Sequence, residues 1–287
     1  MPLIEELDDA VRRRRRELSE ATAKHFHPSI RAILATKNGT HPQIIGSCML
    51  LRVDERNYVV TAAHIADELG MNALYVSGTV GGDLVQLVGV IYKTKAPSAD
   101  RNQDKYDIAF WEIDEEKINA LGEVSFINES LFSKNRAPVN NRLYLAAGYP
   151  YSRNKKNINN AALTVKTSLS KYTAELTDDP AVAAEFKVSG KDHLFLKFHK
   201  FSETDSGDKQ NTFAPVGLSG GPLFDLGNFA SMDRYTAESS KTGYIAGMTI
   251  EKISKRNVLV AVKIEVIVEA IRRHDAANSA SADDSDA

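Results

Sequence analysis

A serine hydroxyl is a poor nucleophile until a neighbouring base takes its proton, so a serine carries chemistry only where a histidine and an orienting carboxylate can join it. Ser219 stands in Gly217-Leu218-Ser219-Gly220-Gly221-Pro222, where the two glycines after it let the backbone pass close to a ligand. A tight turn there aims the backbone N–H groups of Gly217 and Ser219 at one point, which is the geometry an oxyanion needs. The candidate base is His64, at the end of Thr61-Ala62-Ala63-His64, behind small residues that allow a tight approach. The candidate carboxylate is Asp107, which opens Asp107-Ile108-Ala109-Phe110-Trp111-Glu112-Ile113. Singly these are ordinary features: a polar residue at a strand end, a turn cap and a glycine-rich loop. Together, in the order His, Asp, Ser, they are the parts of an acyl-transfer site.

The elements that must position them read as β. Short runs rich in Val, Ile, Leu and aromatics recur at 31–36, 44–53, 58–65, 73–77, 84–92 and 107–113. A second group follows at 142–149, 162–176, 193–198, 222–224, 243–253 and 257–264, beyond a polar divider around 130–141. Two sets of six strands without long intervening helices predict an all-β chain of two antiparallel six-stranded barrels, about 28–135 and 140–264, within one domain over 28–275. At the front, residues 1–27 form an added amphipathic helix, with Leu3, Ile4, Leu7, Ala10, Val11 and Leu18 on a helical period. Its acids precede its arginines, which suits the helix dipole, and Asp8 with Arg12 or Asp9 with Arg13 sit four apart. At the back, Ile264, Ile267, Val268 and Ile271 mark a short closing helix over 264–274, and the Ala, Ser, Asn and Asp of 276–287 read as a disordered tail.

Thr61 to His64, Asp107 to Ile113 and Gly217 to Pro222 resemble the three signature segments of trypsin-like (chymotrypsin-fold) serine peptidases. The likeness extends over about 30–272, and its ending, Val260-Ala261-Val262-Lys263-Ile264, resembles bacterial HtrA-type protease domains, with no PDZ-sized region expected after it. The resemblance implies a serine endopeptidase in which Ser219 is the nucleophile, His64 the general base and then acid, and Asp107 the holder of the imidazole. The amides of Gly217 and Ser219 would form the oxyanion hole. It also implies a substrate pocket walled by Phe213, Val216, Thr249 and Glu251. No aspartate stands six residues before Ser219; Phe213 does, which favours an apolar or small P1 side chain, with Glu251 at the rim able to reverse that.

Departures from the family pattern shape the expectation. Leu218 stands where many of these enzymes have an aspartate that captures a new N-terminal ammonium, so the oxyanion loop should be ordered by packing, substrate or a partner. The rival reading is a protease-fold peptide-binding or signalling module whose catalysis is vestigial or held inactive until a partner binds. Gly217-Leu218-Ser219-Gly220-Gly221 also fits the nucleophile elbow of α/β-hydrolases, but there Asp and His follow the serine, and here His274 is the sole histidine after it.

Composition bounds the partners. Hydrophobic residues make up 43 % of the 287, charged residues 26 %, and the formal charge is -2, so no global field draws in nucleic acid or an anionic membrane. A protein or peptide substrate is expected, with a regulatory partner or self-association through the N-terminal helix, and no metal or organic cofactor: His25 and His27 lack a third ligand. The single cysteine, Cys48, excludes an internal disulfide and reads as a buried reduced thiol. With an acidic start and no apolar run long enough to span a bilayer, it points to a cytoplasmic location. Gly81-Gly82-Asp83 reads as a hairpin turn, and 202–208 as a mobile surface loop.

Overall fold

Runs such as 44–53 and 142–149 are apolar almost without a break, so their strands have to be covered on both faces. The structure, a computed structural model, does this with two antiparallel sheets. It describes residues 2–37, 40–70, 73–78, 84–98, 100–134, 142–155, 158–159, 164–188, 190–203, 209–228 and 242–283. The hairpin expected at Gly81-Gly82-Asp83 and the tip of the loop at 204–208 lie outside those residues.

The first half supplies β1 (Ile30–Lys37), β2 (Thr40–Val53), β3 (Arg56–Ala62), β4 (Ala73–Ser77), β5 (Leu84–Gln86), β6 (Tyr92–Lys93) and β7 (Ile108–Glu112), ordered β5-β4-β1-β2-β3-β7-β6. The second half runs through β8 (Arg142–Gly148), β9 (Ile158–Asn159), β10 (Thr164–Val165), β11 (Ser170–Glu175), β12 (His193–Lys197), β13 (Phe201–Glu203), β14 (Lys209–Asn211), β15 (Pro222–Asn228), β16 (Tyr244–Ile253) and β17 (Val258–Lys263). Six of these form the sheet β11-β8-β15-β16-β17-β12, while β9–β10 and β13–β14 are separate two-stranded ladders. The expected pair of six-stranded barrels needs correcting at the level of the ladders. The first sheet has seven strands and, among the described residues, no rungs between its edges β5 and β6, because the strand expected over 84–92 breaks at Gly89 (φ 110). Among the described residues the second sheet meets itself at a single bridge, Leu176 to Leu196.

Period-two alternation sorts the side chains into three cores. Ala32 and Leu34 of β1, Met49 and Leu51 of β2, and Leu143, Leu145 and Ala147 of β8 all enter one cluster shared by the two sheets. Their neighbours Ile33, Cys48 and Leu50 enter a second cluster inside the first sheet, and Tyr144 and Ala146 a third inside the second. The shared cluster makes the two halves one apolar body. Trp111 and Phe110 pack into the second and first of these clusters.

Helices close the ends. α1 (Pro2–Phe26) buries Leu18, Ser19, Thr22, Ala23 and Phe26, and the Phe26 ring lies 4.6 Å from that of Phe224. Ser19 meets Thr173 at 3.2 Å and the amide of Gly243 donates to Thr22 Oγ1. Arg14 reaches Glu17 at 3.9 Å. Four short helices were not legible from periodicity: α2 (Ala63–Ala66), α3 (Glu115–Leu121), α4 (Tyr151–Asn154) and α5 (Pro180–Phe186). Each spans less than two turns, too short for a 3.6-residue pattern to emerge. The final helix, α6 (Ile264–Asp283), sinks Ile264, Ile267, Val268 and Ile271 into the shared core as their spacing predicts. It then continues through 276–283, where a disordered tail is expected. A helix already nucleated by packing propagates at little cost through alanines such as Ala276 and Ala277.

Candidate active site

His64 sits on α2, two residues past the end of β3, rather than on the strand itself. The residue at the helix cap, Ala62, has no side chain able to satisfy the first amides. Asp107 does so from across the ladder: its backbone carbonyl accepts from Ala63 N at 2.8 Å and its Oδ1 from His64 N at 2.8 Å. The other carboxylate oxygen, Oδ2, lies 2.6 Å from His64 Nδ1. A carboxylate only accepts, so Nδ1 carries the proton and, in the neutral ring, Nε2 presents its lone pair. Asp107 achieves this with a left-handed backbone (φ 48), which aspartate tolerates better than most residues. Its side chain is 9 % exposed while that of His64 is 39 % exposed, so the anchor is buried and the ring's working edge is open.

The serine loop is built differently. Leu218 N donates to Pro215 O at 2.8 Å, closing a turn whose third residue is Gly217 at φ 98, the left-handed position such a turn demands. In a trans peptide the C=O and N–H point opposite ways, so fixing one fixes the other. Val216 O accepts from Tyr151 N at 2.9 Å, which turns the Gly217 N–H away from the protein. Leu218 O accepts from Gly221 N and from Thr249 Oγ1 at 2.8 and 2.7 Å, which does the same for the Ser219 N–H. Among the described residues neither amide donates to a protein acceptor. Leu218 is buried in the third cluster, so the loop is ordered by packing. Gly220 (φ 84) could not be otherwise: a Cβ there would lie 2.0 Å from Ser47 O.

Ser47 is the residue that sequence reading passed over. Fully buried on β2, it donates its N–H to Ser219 O (2.9 Å) and its Oγ to Gly217 O (2.7 Å), and that Oγ accepts from Tyr149 N (2.8 Å). Its carbonyl accepts from Thr61 Oγ1 at 2.7 Å, three residues before His64. One first-sheet residue thus ties the serine loop to the histidine strand. No local pattern in Gly46-Ser47-Cys48 reports this, because every partner is distant in sequence.

His64, Asp107, Val216, Gly217, Ser219, Thr249 and Glu251 line one cleft of about 520 Å³. Phe213 does not: it packs against the third cluster, with its ring 6.3 Å from that of Phe198. Counting six residues back from the serine misplaces it, because the turn at 215–218 redirects the chain. The Ser219 hydroxyl donates to Ile250 O at 3.0 Å. Cys48 is wholly buried, and burial pushes its thiol up to about 12, so it stays protonated and inert. No helix among the described residues is long and apolar enough to cross a membrane.

No protein-family model matches the chain, and no curated protein matches its sequence. Solved structures that it is similar to include a Glu endopeptidase in complex with MPD, at 14 % identity and a TM-score of 0.48, over 89 % of this chain and 93 % of that one. A thermostable serine protease, AL20, from an extremophilic microorganism is 19 % identical at a TM-score of 0.46, over 82 % and 91 %. The apo MamO protease domain of Magnetospirillum magneticum is 12 % identical at a TM-score of 0.43, over 85 % and 96 %.

Proposed function

We propose that this chain is a serine endopeptidase that cleaves peptide bonds through an acyl-enzyme, at a cleft between two barrel-like halves. One observation carries the reading: a histidine with its Nε2 free sits in the same cleft as a serine flanked by two unspent amide N–H groups. In the reaction, the Ser219 hydroxyl exchanges the Ile250 carbonyl for His64 Nε2, gives up its proton there and attacks the scissile carbonyl. The oxygen of that carbonyl, now negative, is held by the amides of Gly217 and Ser219. His64 then passes its proton to the leaving amine, and a water activated by the same ring releases the acyl group. Asp107 keeps the proton on Nδ1 and stabilises the imidazolium as it forms.

A single buried reduced thiol supports operation in a reducing compartment, the cytoplasm by the sequence reading. The exposed arginines Arg12 and Arg13 of α1 face away from the core, on the side we assign to a regulatory partner or a second copy. The test is labelling by a serine-directed fluorophosphonate. The folded wild type should label and Ser219→Ala should not; a folded wild type that never labels defeats the reading.

A further inference from the structure

The wall of the cleft carries a carboxylate that, among the described residues, no protein group hydrogen-bonds or pairs with. Glu251 follows Ile250, the residue whose carbonyl holds the Ser219 hydroxyl. A bulge lies here, between the pairs Thr249 to Ala261 and Glu251 to Val260. Ile250, on the face of β16 that carries Met248, stays in the shared core, while Glu251, on the face that carries Thr249, emerges on the cleft wall.

The other charged side chains nearby have contacts of their own. Arg101 is held by Asp67 and Asp104, each at 2.7 Å, and Asp107 by His64. The Lys252 ammonium lies 5.0 Å from the centre of the Phe198 ring and the Lys105 ammonium 5.1 Å from that of Phe186. Among the described residues the Glu251 carboxylate forms no hydrogen bond and no ion pair. Burial on the cleft wall holds its carboxyl above the ordinary carboxylate range, with Lys105 and His64 opposing at a distance and Asp107 adding to the rise. An unpaired carboxylate that is exposed within the cleft is open to an arriving cation, and the charge-assisted contact it makes there is stronger than one made in bulk water.

We propose that Glu251 sets the specificity of the cleft by receiving a lysine or arginine side chain of the peptide beside the scissile bond. This rests on the peptidase reading for the nature of the ligand, and it reverses the apolar preference that Phe213 suggested, since Phe213 is not in the cleft.

The experiment uses Ser219→Ala protein, which keeps the cleft and cannot turn over, and fluorescent alanine peptides carrying a central Lys, norleucine or Glu. The Lys peptide should bind about 10- to 100-fold more tightly than the norleucine peptide, and the gap should narrow as salt shortens the reach of the charge. Adding Glu251→Gln should erase the gap, and adding Glu251→Lys should invert it in favour of the Glu peptide, which loss of packing alone cannot do. A Lys preference that survives both changes, no preference, or no binding of any of the peptides overturns the proposal. Fluorophosphonate labelling of the wild type separates the two ideas. A labelled protein without a Lys preference keeps the peptidase and loses the role of Glu251, and an unlabelled protein with the preference does the reverse.

Discussion

The two sides of the cleft are held in place by different physics. On the first-sheet side a single carboxylate, Asp107, accepts from the His64 ring and the His64 amide, while its own carbonyl takes Ala63 N. On the second-sheet side no charged group takes part: the carbonyls of Val216, Gly217 and Leu218 are each taken by a donor, and the glycines leave no room for a methyl group. The first arrangement depends on charge and tolerates small changes of shape. The second depends on shape and contains no charge to lose. Substitutions that conserve volume should therefore damage the first side, and substitutions that add volume the second.

The sharpest break is Ser219→Ala, which should lower peptide turnover by on the order of 10⁶-fold. The melting temperature should stay close to that of the wild type, since the hydroxyl makes one bond to a carbonyl that water can replace. Next comes Asp107→Asn, equal in volume but able to present an amide N–H to Nδ1, which should cost about 10⁴-fold in kcat with little loss of fold. The mirror experiment is Gly220→Ala. It adds only a methyl, 2.0 Å from Ser47 O at a positive φ, and should cost about 3 kcal/mol or more in urea unfolding. Ser47→Ala strands the Tyr149 N–H and the Gly217 C=O in the interior and should cost about 1–3 kcal/mol. If Ser47→Ala lowers turnover with no loss of stability, the two sides are coupled more tightly than this division allows.

The smallest effect concerns pH. Because the Glu251 carboxyl is raised in the folded state, the folded protein holds that proton more tightly than the unfolded chain does. Stability therefore falls as pH rises from the unfolded value through the raised one, and above that the penalty is fully present. Glu251→Gln should melt slightly higher than wild type at neutral pH and no differently in acid below the ordinary carboxylate range. A variant that melts lower than wild type at neutral pH would mean that the carboxylate has a partner in the fold.

What could be read along the chain was whatever repeats within one element. The stripe Ile264, Ile267, Val268, Ile271 and the strands at 73–77 and 244–253 announce themselves because their pattern of burial is complete within one element. The three candidate residues were legible as motifs. The frame around them was not: Ser47, Thr61, Tyr149 and Ile250 act through partners contributed by distant segments. Thr61 to His64 reads as the end of a strand because Asp107, which caps the short helix of His64, is remote in sequence. Phe213 was misplaced because residue counting carries no information about a turn.

The last helix bears on how the chain is made. α6 belongs to the second half by connection, yet Arg272 pairs with Asp54 and Glu129, and the Tyr58 hydroxyl donates to Asp275. Its isoleucines fill the core that both sheets share. As the polypeptide leaves the ribosome, the first sheet can form its ladders about 150 residues' worth of synthesis before the segment at 264–275 is released, on the order of ten seconds at usual synthesis rates. Through that interval one apolar face stays uncovered. The first half thus reaches its finished state only when the second half hands back its final turns.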